Sequence, residues 1–185
     1  MMRLKEKYEK EVVPKMMEIF NFKNKFQVPR IVKVVLNSGF GKLISGKTAK
    51  EQENIIEAIL EDLKMISGQK PIITKARKSI SGFKVKKGQP LGAKVTLRGK
   101  RMYDFLERLI YIALPRSRDF KGIDQKSLDK SGNLTIGIKE HVCFPEISLE
   151  KVKFIFGLEV TIVTNAKKRE HALELFKLLG FPIKK

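Results

Sequence analysis

Between Asp62 and Asp104 the chain carries twelve lysines and arginines and not one acidic residue. They are Lys64, Lys70, Lys75, Arg77, Lys78, Lys84, Lys86, Lys87, Lys94, Arg98, Lys100 and Arg101. No other feature restricts the fold as strongly. Burying an unpaired ammonium or guanidinium costs several kcal/mol, so each of these side chains must reach solvent or a polyanion. Three clustered lysines would be an ordinary solvated face, but protein surfaces normally intersperse the two signs of charge over a stretch this long. Across the whole chain 39 Lys and Arg stand against 20 Asp and Glu, a formal charge of +19. Such a surplus points to a polyanionic partner, either nucleic acid or an anionic membrane surface, with nucleic acid favoured.

At 185 residues and 42% hydrophobic content, the chain is read as a single domain spanning 1–185 with a sizeable core. Residues 3–22 have a helical pattern in which Pro14 predicts a break or a new first turn, giving an N-terminal helical arm (1–25) of two short helices. VPRIVKVVL (28–36) reads as a strand that ends in the loop signal Asn37-Ser-Gly-Phe-Gly. Thr48 and Glu51 have capping-box spacing, and Ile55, Ile56, Ile59, Leu60, Leu63 and Ile66 then recur on one helical face until Gly68. Three short β-like runs follow, at Ile72–Thr74, Ser79–Val85 and Ala93–Leu97. Met102, Phe105, Leu106, Leu109, Ile110 and Ala113 mark another amphipathic helix, ended by Pro115. A surface loop is expected over 116–133, with strands at Leu134–Ile138, near Val142–Phe144 and at Leu158–Val163. A last helix, Lys167–Leu179, is closed by Gly180 and Pro182. Helices and strands mix without a βαβ rhythm. The fold class is therefore α+β, a two-layer arrangement of a mostly antiparallel sheet with helices packed on one face, plus long basic loops.

No run approaches the 18–20 apolar residues of a membrane span, and MMRLKEKYEKEVVPK is too charged for a secretory signal, so no membrane partner and a cytoplasmic location are expected. The lone Cys143 offers neither an internal disulfide nor a metal framework. His141 and Cys143 would share a face of a strand, but with His171 on the final helix they do not make a zinc site. No metal, cofactor or acid/base pair is expected. One motif is a rival: Gly41-Lys-Leu-Ile-Ser-Gly46-Lys47-Thr48 matches the phosphate-binding loop G-x-x-x-x-G-K-[ST] between a predicted strand and a predicted helix. In a P-loop NTPase or phosphotransferase Lys47 would reach the terminal phosphates and Thr48 would help hold Mg²⁺. Against it, LEVTIVTN ends in Asn165 where a metal-binding Asp is wanted, and the cations lie downstream of the loop.

RNA suits the pattern better than duplex DNA, because no zinc-finger or basic-zipper spacing is present and Gly68, Gly82, Gly88 and Gly92 fit an irregular surface. Thr74, Ser79, Ser81 and Thr96 add hydroxyls able to bond phosphate or ribose oxygens. Within this region SISGFKVKKGQPLG (79–92) reads as a basic finger carrying Phe83 and Val85.

The segments VPRIVKVVLNSGFG (28–41), SGQKPIITKARKSISGFKVKKGQPLGAKVTLRGKRMYDFLERLIYIALPRSRDF (67–120), GNLTIGIKEHVCFPEI (132–147), EVTIVTNAK (159–167) and LLGFP (178–182) resemble the family of large-subunit ribosomal protein five, the bacterial-type 5S rRNA-binding proteins. The resemblance spans essentially the whole chain. It implies a non-enzymatic, ribosome-bound protein of the central protuberance that helps attach 5S rRNA to the large subunit. The implied partners are 5S rRNA, 23S rRNA, P-site tRNA, small-subunit ribosomal protein thirteen at an inter-subunit bridge, and other central-protuberance proteins. Within the matching motifs Asn37, Gln69 and Thr96 correspond to polar residues that bond 5S rRNA, while Lys75, Arg77, Lys78 and Arg98 would position its backbone. The projecting basic loop (81–92) corresponds to the part reaching tRNA: Ser81, Gly82, Phe83, Lys84, Val85, Lys86, Lys87, Gly88, Gln89 and Pro90. The resemblance also makes GKLISGKT a variable loop that has drifted into a Walker-like string. Three departures from the family pattern stand out: Phe156 where an Arg usually precedes Gly157, Ser117 in ALPRSRDF in place of an apolar residue, and the unusually apolar KVKFIFGLEV.

Overall fold

Every strand pairs antiparallel with its neighbours, in the order β2-β3-β1-β5-β4. The strands are β1 (Ile31–Gly39), β2 (Ile72–Lys75), β3 (Pro90–Leu97), β4 (Leu134–Ile138) and β5 (Leu158–Thr164). The computed structural model describes residues 3–83 and 85–184. Side chains alternate across each strand. Val34, Leu36 and Ser38 of β1 therefore share one face with Ala93, Val95 and Leu97 of β3, and with Val160 and Ile162 of β5. Leu134, Ile136 and Ile138 of β4 complete it, and all of these residues are buried.

Helices cover that face alone. Helix α2 (Ala49–Ser67) buries Ile55, Ile59, Leu63 and Ile66, and helix α3 (residues 99–116) buries Met102, Phe105, Leu106 and Leu109 against it. Helix α1 (residues 4–20) packs on α3 and on α4 (Arg169–Leu179), bringing Leu4, Val12, Met16, Leu175 and Phe176 into the same core. Each large apolar side chain fully buried in this way is worth about 1.5–3 kcal/mol. The α+β class, the antiparallel sheet and the one-sided helical layer are as the sequence implies.

Local chemistry explains the boundaries. At the start of α2 the Thr48 hydroxyl accepts the Glu51 N–H at 3.4 Å and the Glu51 carboxylate accepts the Thr48 N–H at 2.9 Å, the capping box read from the sequence. At its end Gly68 takes a left-handed φ of 65°, as a helix stop requires. In α1 the new first turn expected at Pro14 is present, but the break is not. A π-helical turn at Tyr8–Val12 lets the Val13 N–H reach back to the Tyr8 carbonyl, and Pro14 then sits in the first turn of Val13–Phe20, where its missing N–H and its ring are tolerated. The same device recurs at Leu109–Ala113, so α3 continues through Pro115 to Arg116 instead of ending at the proline.

Four further expectations are corrected. Strand β1 does not stop before Asn37 but runs to Gly39, because it is paired on both sides and the Ser38 hydroxyl donates to the Gly157 carbonyl at 2.9 Å. Ser79–Val85 is not a strand: a single bridge, Ile80 with Val85, closes over a 3₁₀ turn at Ser81–Phe83. Val142–Phe144 is not a strand: Val142 and Cys143 belong to a 3₁₀ turn, His141–Cys143, capped by Phe144, and the His141 N–H bonds the Phe156 carbonyl. The 116–133 loop buries Ile123 and Leu128, so it is anchored to the core and does not merely lie on the surface.

Candidate nucleic-acid interface

From Lys33 onward the opposite face of the sheet carries short, polar or absent side chains apart from the exposed Ile72 of β2, and among the described residues no helix crosses it. Its rows follow from the strand register. Asn37 stands between Lys94 of β3 and Glu159 of β5, and Val35 between Thr96 and Thr161. Thr161 faces Thr135 of β4, their hydroxyls 3.4 Å apart. Gly39 faces Gly92, which faces Thr74. Gly92 is required there: a Cβ would lie 2.7 Å from the Ser38 carbonyl oxygen and 2.9 Å from Thr74 Oγ1.

Asn37 and Thr96 thus lie on this face in adjacent rows, both half-buried. Gln69 joins them at the edge. Strand β2 begins at Ile72, opposite Lys94, which leaves the Thr96 carbonyl beyond its end; the Gln69 side-chain amide donates to that carbonyl at 3.4 Å. Gln69 is itself fixed by Ser67, whose hydroxyl accepts the Gln69 N–H at 3.2 Å and donates to its carbonyl at 2.9 Å. Arg98 follows Lys94 and Thr96 in the alternation and precedes α3, while Lys75 ends β2 and Arg77 and Lys78 lie just past it. Lys33, Thr135, Glu159 and Thr161 belong to the same face, and no motif in the sequence marks them. The alternation of VKVVLNSG and LEVTIVT holds that signal.

Eleven of the twelve cations between Asp62 and Asp104 are among the described residues, and all eleven are exposed. Among the described residues none of them lies within ion-pair distance of a carboxylate. Lys84 lies outside the described residues.

The basic finger is internally bonded. The Ala76 N–H donates to Gln89 O at 2.8 Å and the Gly88 N–H to Ala76 O at 2.9 Å, while the Lys87 N–H donates to Ser79 Oγ at 2.9 Å. The Gln89 side chain accepts the Lys86 N–H at 3.1 Å. Ser81, Gly82 and Phe83 form the tip, with Phe83 75% exposed; Lys86, Lys87 and Gly88 are exposed, and Val85 and Gln89 half-buried. Pro90, Leu91 and Gly92 belong to β3, so the finger proper is 76–89, earlier at both ends than the 81–92 expected.

The rivals do not survive the geometry. In GKLISGKT two of the backbone donors a phosphate would need are spent internally, Ser45 N–H on Gly41 O at 3.2 Å and Lys47 N–H on Ile44 O at 3.3 Å. Thr48 Oγ1 donates to the Glu51 carboxylate at 2.8 Å, and those bonds hold that carboxyl below its usual range. An acidic group thus sits where a phosphate would be needed. His141 and Cys143 lie on a tight turn and share no strand face. His141 is fully buried, stacked on Phe156 with ring centroids 3.9 Å apart, and its Nδ1 accepts the Phe156 N–H at 3.4 Å. Its Nε2 lies 3.2 Å from Asp62 Oδ2, off the hydrogen-bonding direction. Burial holds the imidazole below its ordinary value, against the pull of Asp62, so it is neutral. Burial also pushes the Cys143 thiol up to about 11, leaving it inert. No group of acids, histidines and cysteines suited to a metal occurs among the described residues. Of the departures, Phe156 forms the floor beneath His141 and Ser117 stops α3 by donating its N–H to Leu114 O at 3.2 Å.

The family model described as "Ribosomal protein L5" matches residues 24–86, and the model for the C-terminus of the same ribosomal family matches residues 90–183. A curated "Large ribosomal subunit protein uL5" from Thermoanaerobacter sp. (strain X514) is 54% identical over 185 residues, covering 100% of both chains. The protein of the same description from Caldanaerobacter subterraneus subsp. tengcongensis is also 54% identical over 185 residues and 100% of both chains. That of Halothermothrix orenii is 50% identical over 179 residues and 97% of each. The resemblance read from the sequence motifs is thereby borne out, and the chain belongs to the ribosomal protein L5 family, a family of structural proteins and not of enzymes.

Proposed function

We propose that the chain is a structural constituent of the large ribosomal subunit that binds 5S rRNA through the helix-free face of its sheet and the basic segments beside it. The observation that carries this reading is the set of exposed cations Lys75, Arg77, Lys78, Lys94 and Arg98, none within ion-pair distance of a carboxylate among the described residues, on and beside a face on which Asn37 and Thr96 are adjacent and Gln69 is clamped at the edge. The two residue classes do different work. Lys75, Arg77, Lys78, Lys94 and Arg98 attract the phosphate backbone in a salt-dependent way, whereas neutral Asn, Gln and Thr sense base edges and ribose hydroxyls. Gly39, exposed beyond Asn37 on the same strand, lets the RNA backbone approach closely.

The family resemblance extends this reading. The chain helps attach 5S rRNA to 23S rRNA in the central protuberance, among its other proteins, and works on the ribosome in the cytoplasm as one unit. Finger 76–89 contacts P-site tRNA, and the C-terminal third contributes to a bridge with small-subunit ribosomal protein thirteen. Crosslinking with mass spectrometry on ribosomes tests the main assignment: peptides from 67–101 should be joined to 5S rRNA, and crosslinks confined to the helical layer would refute it. For the finger, deleting residues 83–89 should leave binding to isolated 5S rRNA nearly intact and weaken tRNA placement on the ribosome. Equal loss of both would show that the two surfaces are divided wrongly.

A further inference from the structure

Beside the finger lies an apolar surface to which 5S rRNA docking on the sheet assigns no role. Where 76–89 departs from β2 and β3 it runs alongside the short helix Gly41–Ile44, and the two enclose a groove of about 600 Å³. Ile80, Phe83, Val85 and Leu91 line it, and Lys42, Arg77 and Lys78 stand at its rim. No acidic residue contributes to its lining. The floor is held in place, since Leu91 O accepts the Phe40 N–H at 2.9 Å. It is also kept open by Gly41, where a Cβ would come within 3.3 Å of Leu91 Cδ2. Ile80 is 50% exposed and Phe83 75% exposed, so the apolar wall faces water in the free chain.

An apolar wall of this kind calls for an occupant, and the rim selects which. An apolar protein segment would cover Phe83 but leave three cations without counter-charge. A nucleotide supplies both halves, a π-face for the phenyl ring and phosphates for the cations. A base paired within a duplex has no free face to offer, so the ligand must come from a loop, bulge or end. We propose that this groove binds a single unstacked RNA nucleobase, its face on Phe83 and its flanking phosphates on Lys42, Arg77 and Lys78. The site rests on the reading of finger 76–89 as an RNA-contacting element and shares Arg77 and Lys78 with the proposed 5S rRNA surface; what it adds is the apolar wall and an unpaired base as the ligand.

The test compares the full chain's affinity for a short single-stranded RNA with its affinity for the same strand carrying abasic sugars. Stacking on one aromatic ring should favour the intact strand by about tenfold. Phe83→Ala should collapse that ratio to about one, and Phe83→Tyr should restore it. Lys42→Ala should weaken both strands alike, by about two- to threefold, because it acts on phosphate. Phe83 is exposed, so equal melting temperatures of the variants and the parent provide the folding control. A parental ratio near one, as a groove built for a protein segment would give, overturns the proposal, as does a ratio that survives Phe83→Ala. If the ratio is near one while 5S rRNA binding keeps its salt dependence, only the groove assignment falls.

Discussion

Replacing Gly92 with alanine should loosen β1 from β3, whereas the same change at Gly39, directly opposite, should be harmless. Both glycines have ordinary negative φ values, so backbone strain does not distinguish them. Space does. A methyl at position 92 would sit 2.7 Å from Ser38 O and 2.9 Å from Thr74 Oγ1, against a relaxed carbon–oxygen contact of about 3.4 Å. Thr74 is half-buried and can turn its hydroxyl away. Ser38 cannot yield, because its strand is paired on both sides and its own hydroxyl is tied to Gly157 O at 2.9 Å. The strands must therefore separate by more than half an ångström, at the usual cost of overpacking, about 1–3 kcal/mol. For a chain of this size that lowers Tm by roughly 3–10 °C. At Gly39 a methyl meets nothing within 4 Å, and the change should stay within about 0.5 kcal/mol. Urea unfolding reads both, as a shift of midpoint at constant slope. Wild-type stability in Gly92→Ala, or equal loss in the two variants, would refute the register that builds the open face.

Two further predictions concern buried groups. His141 is neutral when folded, with its value below the roughly 6.5 of the unfolded chain, so below that pH the unfolded state binds the extra proton and stability falls as pH drops, by at most about 1.4 kcal/mol per unit. Asp62, whose carboxyl is raised by burial, acts with the opposite sign, so the measurement is the difference between wild type and His141→Gln in urea unfolding from about pH 7.5 to 5.5; an identical pH slope in both would show that His141 is not its source. Cys143, buried and pushed up to about 11, should resist a thiol reagent in the native protein and react fully in denaturant. Rapid native labelling would contradict its burial.

Much of this architecture is legible in the sequence, for local reasons. Thr48, Glu51 and Gly68 bracket α2 with chemistry contained within a few residues, and the apolar spacing of α2 and α3 names their buried faces. The described cations of the acid-free stretch all prove to be exposed, because charge cannot be hidden. What escapes sequence reasoning depends on partners distant in the chain. Asn37-Ser-Gly has the composition of a turn, yet pairing with β3 and β5 keeps it extended. Ser79–Val85 alternates like a strand but closes on itself. His141-Val-Cys has β-like residues, but its backbone is spent on Phe156. Pro14 and Pro115 look like helix breakers because the preceding π-turns that accommodate them leave no mark at a fixed position. In the interface, Asn37, Thr96 and Gln69 can be named from motifs. Their adjacency, and the joining of Lys33, Thr135, Glu159 and Thr161 to them, depends on a register that a one-residue slip would reverse.

The affinity of the purified chain for 5S rRNA, followed from low to moderate salt in wild type, Lys75→Ala and Arg77→Ala, bears hardest on the proposed role of the exposed cations. Log affinity should fall linearly and steeply with log salt, and each substitution should reduce the slope by about one, as removal of a single phosphate-binding cation requires. An affinity indifferent to salt, or slopes unchanged in both variants, would contradict it.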